Sequence, residues 1–363
     1  MAIKNTLRYI AFFFFSLLID SAAAQTVLPP VMDWHGKSES LIATADDPWL
    51  TPSEKSDFKT TPSYNETVKW FEKLTAASPL LSMVSIGKSV EGRDIYMIIA
   101  STNTDKSPLS LKNSEKPLML AQAGIHSGEI DGKDAGMMIL RDIAFGKKKE
   151  LLNTVNFLFI PILSVDGHEN SSAFHRPNQR GPENMGWRTN SQNINLNRDY
   201  AKLDTEEVRA VIKVINDYNP VLYMDIHVTD GADYQYDITY TGAGEVGNSP
   251  AISNWLETKF KPKADEDLKI NGHIPGPLLF TMNDMDFSKG RVSFAFGIRF
   301  SNGYGNLRHL TTILVENHSL KPYKQRVLGT YVLLESTLRL LDKEGKSLQK
   351  ITAADKSIRN ERI

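Results

Sequence analysis

His126 and Glu129 stand three residues apart, directly after the apolar run from Pro117 to Ile125, and a second apolar run, Val221 to Ile226, ends in His227. Zinc accepts imidazole nitrogen and carboxylate oxygen, and its catalytic sites usually keep three protein ligands with a fourth position for water. His126, Glu129 and His227 supply such a set. A spacing of three lets a histidine and a carboxylate point the same way across one turn of chain. Glu316 follows a third run, Thr312 to Val315. A second carboxylate that is not a ligand is what metal-assisted hydrolysis requires, because it can take a proton from water and pass it to the leaving group.

A lone histidine is more often a surface or packed core residue, and H-x-x-E by itself arises often by chance. Placement argues for more. Open α/β sheets bind ligands beyond the carboxyl ends of their strands, and His126, His227 and Glu316 each follow a separate apolar run. Between the first two lies a Gly- and Asn-rich stretch holding Gly186, Trp187, Arg188, Thr189 and Asn190, then Asn195, Leu196, Asn197, Arg198 and Asp199. It could be an ordinary solvated loop. Guanidinium groups also bind carboxylates in a bidentate manner and stabilise oxyanions, so a substrate with a free carboxylate is a natural expectation.

The elements that must position these residues follow from periodicity. Tyr64 to Ala77 has the pattern of an amphipathic helix with Ser63 as its cap, and Leu81 to Ile86 and Asp94 to Ala100 read as strands. Short apolar runs then alternate with helical stretches: a strand to Ile125, a helix from Asp131 to Phe145, and a strand from Val155 to Leu163. A helix from Asp204 to Tyr218 leads into the strand Val221 to Ile226; a helix near Trp255 to Phe260, a strand from Thr311 to Val315 and a closing helix from Lys324 to Leu341 complete the series. That alternation predicts one α/β domain over residues 61–342, with a mixed, mostly parallel central sheet covered by helices on both faces. Residues 25–60, rich in Pro, Asp, Ser and Thr, read as an extended lead-in, and 343–363 as a mobile polar tail.

Composition narrows the setting. The chain has 363 residues and a formal net charge of -1, which gives no general attraction to nucleic acid or anionic membrane. Lys4 and Arg8 precede an apolar stretch, Tyr9 to Leu18, which leads to Ala22, Ala23 and Ala24. That is the pattern of a secretory signal peptide over 1–24, too short in its apolar core for a comfortable membrane span. The expectation is an exported protein, periplasmic or secreted, with no membrane span after cleavage. With no cysteine in the chain, thiol nucleophiles and cysteine-ligated zinc are excluded.

The chain resembles the zinc carboxypeptidase family typified by carboxypeptidase A. His126-Ser-Gly-Glu129 matches its H-x-x-E, and Asp225-Ile-His227 its later strand-end histidine. Ser164-Val-Asp166-Gly167-His-Glu169 is similar to N-P-D-G-x-E, Trp187-Arg188 and Asn197-Arg198 to its W-R and N-R pairs, Ser89-Val-Glu-Gly-Arg93-Asp-Ile95 to S-x-E-G-R-x-I, and Leu314-Val-Glu316 to the strand carrying its general base. The resemblance implies that His126, Glu129 and His227 hold one zinc ion, that Glu316 activates the water, that Arg188 polarises the scissile carbonyl, and that Asn197 and Arg198 grip the substrate's terminal carboxylate. Asn195 stands where many members have an aspartate, keeping an acceptor but adding no charge. Tyr304 is the candidate for the family's mobile tyrosine, with a plain turn tyrosine as its alternative.

The expected activity is that of a metallocarboxypeptidase hydrolysing a C-terminal peptide bond with a zinc-bound water activated by Glu316. Two alternatives keep the same zinc site: an amidase or endopeptidase on cell-wall peptides, and a deacylase of N-acyl amino acids. A third is a non-catalytic zinc- or peptide-binding protein.

Overall fold

The computed structural model describes residues 28–146, 148–241, 249–283, 286–292 and 295–360; the expected signal peptide lies outside these. Internal contacts divide the chain into 1–33 and 34–363. Of the first unit, 28–33 contain no helix or strand, and Val31 and Met32 are exposed.

The second unit is built on an eight-stranded sheet. In chain order its strands are β1 Leu81–Lys88, β2 Asp94–Ala100, β3 Leu118–Ala123, β4 Asn156–Ile160, β5 Leu222–Val228, β6 Ile238–Tyr240, β7 Pro275–Pro277 and β8 Thr311–Asn317. They lie in the order β1-β2-β4-β3-β5-β8-β6-β7, and four of the seven neighbouring pairs are parallel. The middle strands β3, β4 and β5 are buried at every residue. Parallel strands covered on both faces read as continuous apolar runs, which is why the sequence shows them as such.

Five helices fix the site's surroundings: α1 Tyr64–Ala77, α2 Asp131–Phe145, α3 Glu206–Tyr218, α4 Ser301–Leu307 and α5 Tyr323–Asn360. The Ser63 hydroxyl accepts from the Glu66 amide while the Glu66 carboxylate accepts from the Ser63 amide, so a capping box starts α1 where the sequence places it. α3 ends on Asn219 in the left-handed conformation at φ 49°, just before Pro220. Successive residues of β5 face opposite sides. On one side a Cβ added to Gly132 of α2 would lie 3.0 Å from Ile226; on the other, Ser301 of α4 donates to Asp225. Helices therefore cover both faces, as expected.

Two segments differ from expectation. The closing helix does not stop at Leu341; α5 continues to Asn360. Leu348 is fully buried, the Pro117 ring sits where a side chain at Gly345 would go, and Asp355 pairs with His309 at 2.5 Å. The polar stretch is thus the outer part of a docked helix, its apolar contacts too sparse to show as periodicity. The lead-in also carries order, with short helical turns Lys37–Leu41 and Pro52–Lys55 and a buried ion pair from Glu54 to Arg141 of α2 at 2.6 Å. Among the described residues no helix is long and apolar enough to cross a membrane.

Candidate metal centre and active site

β3, β5 and β8 are adjacent and parallel, so their carboxyl ends lie along one edge. Ala123 at the end of β3 pairs with Ile226, and Glu316 of β8 pairs with His227 of β5. Paired residues on parallel strands share a face, so that register sets Glu316 beside His227. His126 and Glu129 stand in the turn between β3 and α2, where the Glu129 amide donates to the His126 carbonyl at 2.9 Å. This turn is packed backbone on backbone: a Cβ at Gly186 would lie 2.6 Å from the Ser127 Cβ and 2.8 Å from its carbonyl oxygen.

One ligand atom each from His126, Glu129 and His227 lies within 4.8 Å of the others, and all three residues are buried. Both histidines turn Nδ1 inward: His126 Nδ1 is 3.2 Å and His227 Nδ1 3.0 Å from Glu129 Oε2. Their outward nitrogens have acceptors, His126 Nε2 with Asn195 Oδ1 at 3.0 Å and His227 Nε2 with Asp225 Oδ2 at 2.9 Å. An Nε2–H that donates outward leaves the Nδ1 lone pair for a metal, the arrangement that orients ligating histidines. The donor set, its convergence and its tautomers fit zinc.

The buried charges of the cluster act strongly on one another. Burial works to raise the Glu129 carboxyl, but His126 and Arg176 override it and hold it well below the ordinary range. Burial also opposes a charge on His227, yet Asp225 and Glu129 keep its pKa well above the usual value, whereas burial lowers that of His126. Burial pushes the Glu316 carboxyl up to about 8; His227 pulls against this, while Glu129 and Asp230 add to it. Glu316 Oε2 is enclosed with no hydrogen-bond partner among the described residues. A carboxyl oxygen with no partner of its own is placed to exchange a proton with a bound molecule.

Arg188 reaches the cluster, donating from Nη1 to Glu129 Oε1 at 2.8 Å. Asn197 is buried and committed: its Oδ1 accepts from the Ser301 amide at 2.9 Å, and Nδ2 lies 3.3 Å from His227 Nε2. The Arg198 guanidinium rests on the Phe300 ring, 4.2 Å from its centroid, with Arg299 over the same ring at 5.1 Å. Burial, with the charges of Arg188 and Arg299 nearby, lowers the Arg198 pKa, so its positive charge is only partly compensated.

Tyr304 is not brought to the cluster. Its hydroxyl accepts from Arg308 at 2.5 Å, its ring packs 5.7 Å from that of Tyr200, and Arg308 in turn donates to Asn216 near the carboxyl end of α3. The start of α4 meets the site through Ser301, while Tyr304, a turn further on, makes its contacts with Arg308 and Tyr200. Tyr234 lies within electrostatic reach of Glu316, which adds to a pKa that burial pushes up to about 12.

The upstream motifs turn out to be a clasp. Asp166 Oδ1 accepts from Ser89 Oγ and Arg93 Nη1, each at 2.7 Å, and its Oδ2 from the Glu91 amide at 3.1 Å. Glu169 accepts from the Tyr64 amide at the start of α1. Arg176 was not singled out by sequence reasoning; it donates to Glu129 Oε1 at 2.9 Å from a loop without periodicity. Asp225 could have been found, since it stands two residues before His227 on one strand face.

Residues 67–274 match the family model described as zinc carboxypeptidase. Among curated proteins, Carboxypeptidase Z of Gallus gallus is 29% identical over 158 residues, covering 40% of this chain and 23% of that one. Carboxypeptidase 2 of Trichophyton rubrum is 24% identical over 285 residues, covering 74% and 48% respectively. The chain thus spans about a quarter to a half of the length of these relatives. Among solved structures, a metallo-carboxypeptidase from Burkholderia cenocepacia superposes with a TM-score of 0.56 at 17% identity, over 77% of this chain and 69% of that one. The carboxypeptidase A from Helicoverpa armigera gives 0.57 at 17% identity, over 78% and 74%, and both share the fold. Because the family match takes in more than half of the residues and contains the whole His126, Glu129 and His227 cluster, the chain belongs to the zinc carboxypeptidase family.

Proposed function

We propose that this protein is an exported metallocarboxypeptidase that removes the C-terminal residue from peptides with a free terminal carboxylate. The convergence of His126 Nδ1, Glu129 and His227 Nδ1 next to the enclosed Glu316 carboxyl carries the reading. Export rests on the charged, apolar and small-residue pattern of positions 1–24.

His126, Glu129 and His227 would hold zinc, which supplies Lewis acidity and brings the pKa of a water toward neutrality. Glu316 takes the proton from the attacking water and returns it to the departing amine nitrogen, both transfers being within the means of one carboxylate beside the ligands. Arg188, a third exposed and tied to Glu129 through one nitrogen, can swing to the oxygen of the scissile carbonyl and stabilise its developing charge. Arg198, its guanidinium over the Phe300 ring, is the cation that meets the substrate's carboxylate. Asn197, whose acceptor is taken by Ser301, acts by fixing the loop beside His227.

The test is Glu316→Gln with free-acid peptides, the same peptides amidated at the C-terminus, and cell-wall peptides. We expect a loss of turnover of about 10²- to 10⁴-fold with zinc content unchanged, and cleavage restricted to free acids. Undiminished turnover in the variant would end the acid–base assignment. Equal cleavage of amidated peptides would favour an endopeptidase or amidase, and turnover of cell-wall peptides alone would move the substrate to the cell wall.

A further inference from the structure

Arg176 is 5% exposed, and all three nitrogens of its guanidinium donate. Nη1 donates to Glu129 Oε1 at 2.9 Å; Nη2 donates to the carbonyls of Val228 at 3.3 Å and Thr229 at 3.2 Å and approaches Asp230 at 3.4 Å; Nε donates to Gln179. One planar group therefore ties the turn carrying Glu129 to the chain that continues from His227. Gln179 grips the same turn, donating to the Gly128 carbonyl at 2.8 Å. The side chain of Arg176 runs through space that is open only because position 128 is glycine. A Cβ there would stand 2.5 Å from Arg176 Cδ and 3.1 Å from Cγ.

Two arginines meet on Glu129 Oε1, and they differ in freedom. Arg188 makes one hydrogen bond to it and its side chain is 36% exposed. Arg176 has four further acceptors that hold it whether or not Glu129 is engaged. We infer that Arg176 is a positioning residue of the metal centre: it fixes the Glu129 carboxylate relative to His227 and balances its charge, which leaves Arg188 free to move to the substrate. The inference rests on the zinc reading above and adds to it a residue from outside the ligand and substrate loops. The lone glycine between the ligands is the sequence feature that admits it.

The experiment compares Arg176→Met and Arg176→Lys with the full-length wild type. The readouts are zinc affinity by competition with a chromogenic chelator, the visible absorption spectrum of the cobalt-substituted protein, and the melting temperature of the metal-free protein as a control for folding. Removing an outer partner of a metal ligand typically lowers affinity 10- to 100-fold, and Arg176→Met should do so with a changed cobalt spectrum. Arg176→Lys keeps the charge but cannot span Glu129 and the Val228 and Thr229 carbonyls together, so it should show a smaller loss in the same direction. A folded Arg176→Met with zinc affinity within twofold of wild type and an unchanged spectrum overturns the inference; if that variant does not fold, the same result for Arg176→Lys does. A wild type that binds no zinc overturns the metal reading itself, whereas tight wild-type binding with unaffected variants removes only the role of Arg176.

Discussion

Each histidine of the cluster is held through its outer nitrogen by a different kind of acceptor, an amide oxygen for His126 and a carboxylate for His227. A carboxylate partner raises the basicity of a ligating imidazole and an amide does so less. Asp225→Asn can present an NH₂ group to His227 Nε2 and favour the wrong tautomer, so zinc affinity should fall about 10- to 100-fold in chelator competition. Asn195→Asp should act the other way and tighten zinc. At the substrate end, Arg198→Met should lower kcat/KM for free-acid peptides by roughly 10- to 100-fold, the worth of a charged hydrogen bond, chiefly through KM, and leave any amidated substrate unchanged.

Elements decide how these residues stay in register. The lead-in is fastened to the chain between the 261–270 helix and β7: the Ser38 amide donates to the Asn271 carbonyl at 3.2 Å, Trp34 Nε1 to the Gly272 carbonyl at 2.8 Å, and Ser38 Oγ lies 2.8 Å from His273 Nε2. His273 is 2% exposed, and burial lowers its pKa to about 4. In the unfolded chain the ring takes its proton near 6.5, so the unfolded state gains protons first as pH falls. Stability from the neutral ring is complete above that value and is lost as pH drops through the folded pKa. Relative to His273→Phe, the wild type should lose about 3 kcal/mol between pH 6.5 and 4, measured by chemical denaturation at each pH. A constant difference between the two across that window would mean that His273 carries no such shift.

For the molecule as a whole, stability draws on the sheet core and the length of α5. Leu348 is fully enclosed in the part of α5 beyond Leu341, so Leu348→Ala should cost about 2–4 kcal/mol, and removal of residues from 343 onward should lower the melting temperature further. A mobile tail would lose nothing by either change. Chelation should also destabilise the protein, since zinc binds the native cluster and not the unfolded chain. With free zinc 1,000-fold above Kd the difference is about 4 kcal/mol, read as a melting shift that zinc reverses and magnesium does not.

The sequence by itself determined the central strands, because strands buried on both faces must be apolar throughout, and it pointed to His126, Glu129 and His227, because residues at the ends of such runs share one sheet edge. The capping box of α1 was legible for the same reason: its chemistry is local. Tertiary structure alone decided the rest. Tyr304 shares a short helix with Ser301, yet its hydroxyl is engaged by Arg308, a partner only the fold supplies. Residues 343–360 are polar enough to read as tail, and only packing against Pro117, His309 and the neighbouring helices makes them helix. Arg176 lies 47 residues from the carboxylate it holds. No periodicity links the two, since their contact depends on a side chain threading past Gly128, and a distance of that kind exists only once the chain has folded.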